Sequence, residues 1–180
     1  MLMKMLEAGG IPPLIDNVRV ADHDNPRGYY EYEPVKALRD GDTSWLPAAP
    51  GKAVKIIAML LTYLPDDYQY EVVFVRREMR EILASQRKML INRGEDPDRI
   101  SDDSMAGIFE KHLIQVDQWI GEHPNVRKID VHYNLLIQNP QPEVSRIVQF
   151  IGKPLNIDRM LGVIDPNLYR QRNRAYSQLT

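Results

Sequence analysis

Apolar positions recur along this chain in two rhythms that take turns. At Phe109, Leu113, Val116 and Ile120 they fall four, three and four residues apart, the stripe of a helix with one face in a core. That spacing predicts a helix over about Ser104–Glu122, and a second long helix is expected over about Met79–Asn92, ending near Gly94. Between such stretches stand short continuous runs: "AVKIIA" at Ala53–Ala58, "YEVVFV" at Tyr70–Val75, and Val126–Val131. Continuous rather than alternating runs suit parallel strands covered on both faces. Leu14–Val20 reads as a further short strand, at an edge or buried. Shorter helices are expected at Met1–Ala8, Glu33–Arg39, Tyr133–Gln138, Pro142–Ile151 and Arg159–Ile164, with a helical turn in "MLLTYLP" closed by Pro65. Ala21–Tyr30, Asp40–Lys52 and the acidic Glu95–Ser104 read as loops. Strands alternating with helices predict an α/β fold around a parallel sheet, the helices supplying the crossovers. Ligands of such sheets bind at the carboxyl ends of the strands.

The opening "MLMKMLEAGG" is a helix whose start is hard to place. No Ser, Thr, Asp or Asn precedes it to satisfy the free amides of a first turn. Met1, Leu2, Met5 and Leu6 are expected to face the sheet, with Gly9 as the stop signal. The stretch is a poor signal peptide, because Lys4 splits its apolar run and "GGIPP" is a poor cleavage site.

Composition narrows the class. With 180 residues, 43% hydrophobic and 27% charged, the chain reads as one globular domain over residues 1–180 rather than a disordered segment. A net charge of −2 offers no global field for nucleic acid. The absence of cysteine excludes disulfides and thiolate metal sites and suits a reducing cytoplasm. The four histidines have no metal-ligand spacing, so no metal is expected. No apolar run approaches the roughly 18–20 residues that span a bilayer.

One segment carries a local charge against this background. From Arg76 to Arg93, "RREMREILASQRKMLINR" holds six cations and two carboxylates. Arg77 stands at the carboxyl end of the strand "YEVVFV", and Ser85 follows eight residues later on the expected helix. A guanidinium there can grip a phosphate through two parallel bonds, and a serine hydroxyl can donate to the same group. The same residues also fit a solvated amphipathic helix laced with Glu–Arg pairs, with Ser85 bonded back to a carbonyl and Arg77 in a surface pair with Glu81.

The pattern strand–Arg–seven residues–Ser, with Glu81 four after the Arg, resembles the site for the nucleotide 3′-phosphate in sulfotransferases that use 3′-phosphoadenosine 5′-phosphosulfate (PAPS). "KIDVHYNLLIQNPQPEVSRIVQFIG" resembles that family's strand, Tyr-x-x-Leu, Pro and closing Phe-x-Gly, here Tyr133, Leu136, Pro140, Phe150 and Gly152. "DNPRGYYEYEPV" resembles a segment of bacterial sulfotransferase-like proteins near the acceptor site. The resemblance implies a three-layer αβα architecture of the P-loop kinase/sulfotransferase type, PAPS as cofactor, and a hydroxyl or amine on a small molecule or glycan as acceptor. It implies that Arg77 and Ser85 bind the 3′-phosphate, and that the basic tail with Arg170 and Arg172 closes over the cofactor. Glu31 is the candidate general base, provided burial raises its pKa, with Glu33 in reserve; both also read as surface acids beside a turn. Tyr29, Tyr30 and Tyr32 are candidates to line the acceptor pocket, or simply to pack the loop.

Two departures from the family pattern matter. The stretch comparable to the family's Lys-Thr-His run is "KIIAMLLTYLP", which has no histidine. No Gly-rich phosphate loop occurs in the 180 residues. The resemblance therefore implies that the first, central strand and its phosphate loop are missing ahead of "MLMKML". A non-catalytic nucleotide-binding relative that keeps the 3′-phosphate half-site, and an ATP-using P-loop protein, stand as the alternatives. The acceptor's identity and the oligomeric state are not written in the sequence.

Overall fold

A computed structural model of the chain describes residues 1–19 and 28–165. It is a mixed helix and strand structure built on a small parallel sheet. Helix α1 (Leu2–Gly9) comes first, followed by 3-10 turns at Glu33–Asp40, Leu46–Ala48 and Ala58–Tyr63. Strand β1 (Tyr70–Arg76), helices α2 (Met79–Asn92) and α3 (Asp102–Glu122), and strand β2 (Val126–His132) form the central unit. Helices α4 (Tyr133–Gln138), α5 (Pro140–Ile151) and α6 (Ile157–Gly162) complete it.

β1 and β2 pair in parallel over their whole length, from Tyr70 opposite Val126 to Arg76 opposite His132. Both strands carry apolar residues on both faces, and side-chain alternation sorts them. Val73, Ile129 and Val131 join a core with Met5, Leu136, Val144, Ile147 and Met160, each of these five 0–1% exposed. Val72 and Phe74 join a second core with Leu38, Trp45, Leu61 and Val116. Helices α1, α5 and α6 therefore pack on one face, while α3 and the 3-10 segments pack on the other.

The helix that the apolar stripe predicts forms as α3, and the second long helix runs over Met79–Asn92 as expected. α3 begins two residues earlier than expected because Ser101 caps it, its side chain accepting from the Ser104 amide. In α1 the left-handed residue is Gly10 (φ 113°), so the stop falls one residue after Gly9. Gly9 has another reason to be glycine: a Cβ there would sit 2.8 Å from the Met160 side chain. Met5 and Leu6 are buried as expected, whereas Met1 is 38% exposed.

Two expected strands do not form. Of the 14–20 stretch, residues 14–19 are described and carry no strand. The only pairing in this region among the described residues is an isolated parallel bridge between Pro13 and Ala53. Pro12 and Pro13 have no amide to extend a ladder. Beyond them the Asp16 carboxylate takes the amides of Val18 (3.0 Å) and Glu33 (2.5 Å), which turns the chain. "AVKIIA" keeps only that one bridge at Ala53; the residues after it run to the 3-10 turn at Ala58 without strand pairing. The sheet is thus two strands, smaller than the sequence pattern predicts.

Candidate functional site

The two arginines at the end of β1 part company because successive residues point to opposite faces. Arg76 is drawn into a charge network. Its Nε donates to Asp130 (2.8 Å) and its Nη2 to Asp117 (2.7 Å), while Lys128 donates to Asp117 (2.6 Å). Burial alone would lower the Arg76 pKa, but the two carboxylates outweigh it and raise it. Burial likewise pushes Asp117 up, and Lys128 and Arg76 bring it below the ordinary value of 3.8. This network fastens α3 to the sheet.

Arg77 turns the other way. Its Nε donates to Glu81 Oε2 at 3.1 Å, and its guanidinium lies 5.0 Å from the centre of the Tyr133 ring. The Glu81 side chain is 3% exposed, so this is no surface pair. Its other oxygen, Oε1, accepts from Asn134 Nδ2 at 3.1 Å. Burial raises the pKa of Tyr133 against the opposing effect of Arg77. Ser85 lies one helical turn beyond Glu81 on the same face of α2, and it is exposed. That face is buried at Glu81 and open at Ser85. The other cations of the segment are partly spent, Arg87 being held by Asp98 through bonds of 2.7 and 3.1 Å.

The acidic candidates lie in a different setting. Glu31 accepts from Arg19 (3.2 Å) and Lys55 (3.1 Å), and Lys55 also donates to the Tyr29 carbonyl (3.1 Å). The Arg19 guanidinium stacks 3.3 Å from the centre of the Tyr29 ring. Burial pushes the Glu31 carboxyl up, but Lys55 and Arg19 outweigh it and hold the group below 4.5. The expected burial-raised base is therefore corrected: Glu31 is a carboxylate kept ionised by two cations. Glu33 is paired with Lys36 at 2.7 Å and is the more exposed of the two acids. Tyr30 donates to Glu7 at 2.6 Å, and burial with that acid pushes its hydroxyl up to about 12. Tyr32 packs edge-on against Trp45, 6.0 Å between centres, in the second core. Of the three tyrosines, Tyr29 and Tyr30 face open space.

That space is a groove of about 1010 Å³. It is bordered by α1 (Leu2, Met3, Leu6), by residues 52–56, and by every residue of β1 from Tyr70 to Val75. Consecutive strand residues point to alternate faces, so a groove touching all of them runs along the strand's edge. β2 occupies the other edge. Tyr133 and Lys55 line this groove too, which places it between the Arg77 cluster and the Glu31 cluster. Arg170, Arg172 and the part of "DNPRGYYEYEPV" before Gly28 lie outside the described residues. Among the described residues no three His, Asp or Glu side chains gather as a metal site, and no helix is long and apolar enough to cross a membrane.

Sequence reasoning missed Lys55 and Asn134. Lys55 was visible only as the one charge in an apolar run. No protein-family model, curated protein or solved structure matches this chain.

Proposed function

We propose that this chain is a sulfotransferase-like domain whose Arg77 and Ser85 bind the 3′-phosphate of PAPS, for transfer of a sulfuryl group to a hydroxyl or amine acceptor. One observation carries the reading. Arg77 is held at the carboxyl end of β1 by a buried carboxylate through Nε alone, and its two terminal nitrogens have no partner among the described residues. With the exposed Ser85 hydroxyl on the same helix face, that is a donor set for a phosphate. PAPS would supply the sulfuryl group.

The finer fold belongs to the same proposal. The resemblance calls for a central parallel strand and a phosphate loop ahead of α1. The groove along the open edge of β1 supports it, since Val75, an apolar residue of that strand and part of the groove's lining, is 40% exposed. A parallel strand there would end beside Arg77, where a following loop would meet the 5′-phosphosulfate. The acceptor would enter past Tyr29, Tyr30 and Lys55.

Isothermal calorimetry with adenosine 3′,5′-bisphosphate and adenosine 5′-monophosphate tests the reading. The bisphosphate should bind more tightly, and Arg77→Ala should remove that preference. Equal affinity for both nucleotides in the wild-type chain would sink it.

A further inference from the structure

The only fully buried side chain of α2 is a carboxylate. Helices bury apolar residues, and an ionised group is tolerated inside only where it is paired and hydrogen-bonded. Glu81 meets that condition from two directions: Oε2 accepts from Arg77, at the end of β1, and Oε1 accepts from Asn134, on α4 after β2. The sequence separations are 4 and 53 residues, so one carboxylate ties together the segments that leave both strands. α4 is a firm mount for Asn134, because Leu136 and Ile137 behind it are buried.

Resting on the 3′-phosphate reading above, we infer that Glu81, backed by Asn134, is the positioning residue that aims Arg77 at the nucleotide. A guanidinium offers five donors in a plane. Glu81 takes the Nε–H and the Tyr133 ring lies against the guanidinium, which fixes the plane and leaves the Nη1/Nη2 fork with no partner among the described residues. That fork matches two oxygens of a phosphate. Glutamine keeps the shape and, with the Asn134 amide turned round, both partners, but not the charge, so its hold on Arg77 is no longer charge-assisted. Glu81→Gln is therefore a nearly isosteric test of aim rather than of bulk.

The test is calorimetric titration of the 180-residue chain with adenosine 3′,5′-bisphosphate and with adenosine 5′-monophosphate. Glu81→Gln should weaken the bisphosphate about tenfold, the loss of one well-aimed charge-assisted contact, and leave the monophosphate unchanged. Asn134→Ala should do the same to a smaller extent, and it decides the matter if Glu81→Gln does not fold. Glu81→Gln binding the bisphosphate as tightly as wild type, while Arg77→Ala loses it, overturns the positioning role alone. Equal weakening of both nucleotides overturns it too, because that is what a general structural defect produces. A wild-type chain that does not prefer the bisphosphate overturns the 3′-phosphate reading and the positioning role together.

Discussion

A double-mutant cycle on Arg77 and Glu81 measures whether their pair is an internal fastening or a surface contact. Arg77→Met takes the cation from a carboxylate that is 3% exposed, while its bond to Asn134 stays. Surface pairs are worth about 0.2–1 kcal/mol, whereas breaking a buried pair costs about 3–5 kcal/mol. The Arg77 side chain is 24% exposed, so water can reach the vacated position, and the expected loss is about 2–3 kcal/mol. Glu81→Met should cost about 1–2 kcal/mol, because the freed guanidinium reaches solvent while Asn134 loses an acceptor. The double variant removes both charges and should lie within about 1 kcal/mol of wild type, a coupling of about 2 kcal/mol or more. Urea denaturation with unchanged slope reads these differences. Thermal melting should show Arg77→Met lower by about 6 °C, at about 2–4 °C per kcal/mol for a chain of this size. Coupling below about 0.5 kcal/mol would refute the buried fastening and return the pair to the surface class.

Ser85→Ala should weaken adenosine 3′,5′-bisphosphate by several-fold, about 1 kcal/mol for one hydroxyl bond, without moving the melting temperature; no change in affinity removes Ser85 from the site. Lys55→Met takes away the main influence holding Glu31 below 4.5, so the Glu31 titration followed by carbon NMR should move up; an unmoved value refutes the pairing. Asp117 titrates below 3.8 in the folded chain, so its stabilising contribution is whole above 3.8 and fades as pH falls through the folded value. Urea midpoints should therefore drop as pH falls below about 4, and Asp117→Asn should shallow that drop; parallel curves would refute it.

How much of this was legible in the sequence depended on how local each feature is. The helix α3 was readable because its four-three-four stripe acts within one element, and α2 because its stop signal near Gly94 is local. β1 was readable from its apolar run. "AVKIIA" has a similar composition, yet a strand exists only through its partner. Among the described residues its sole partner is the short stretch around Pro13, cut off by its prolines and Asp16. The same limit applied at the site. Arg77, Glu81 and Ser85 were visible as a spacing that runs from the strand end into one helix. The burial of Glu81 was not, because burial is set by segments distant in sequence, and its partner Asn134 lies 53 residues away. Glu31 was picked out beside its tyrosines, but its charge state is set by Lys55, 24 residues on, and Arg19, 12 residues before. Contacts between distant segments reverse the sign of what the local sequence implies: a surface pair became a buried one, and a raised base became an ionised carboxylate.

The central claim is that the Nη1/Nη2 fork of Arg77 and the Ser85 hydroxyl hold a 3′-phosphate. A crystal structure of the chain with adenosine 3′,5′-bisphosphate tests it most directly. The account predicts 3′-phosphate oxygens within about 3 Å of Arg77 Nη1 and Nη2 and of Ser85 Oγ, with the Arg77–Glu81 bond intact. A bisphosphate bound with its 3′-phosphate on other residues, and Arg77 still turned only to Glu81, would contradict it.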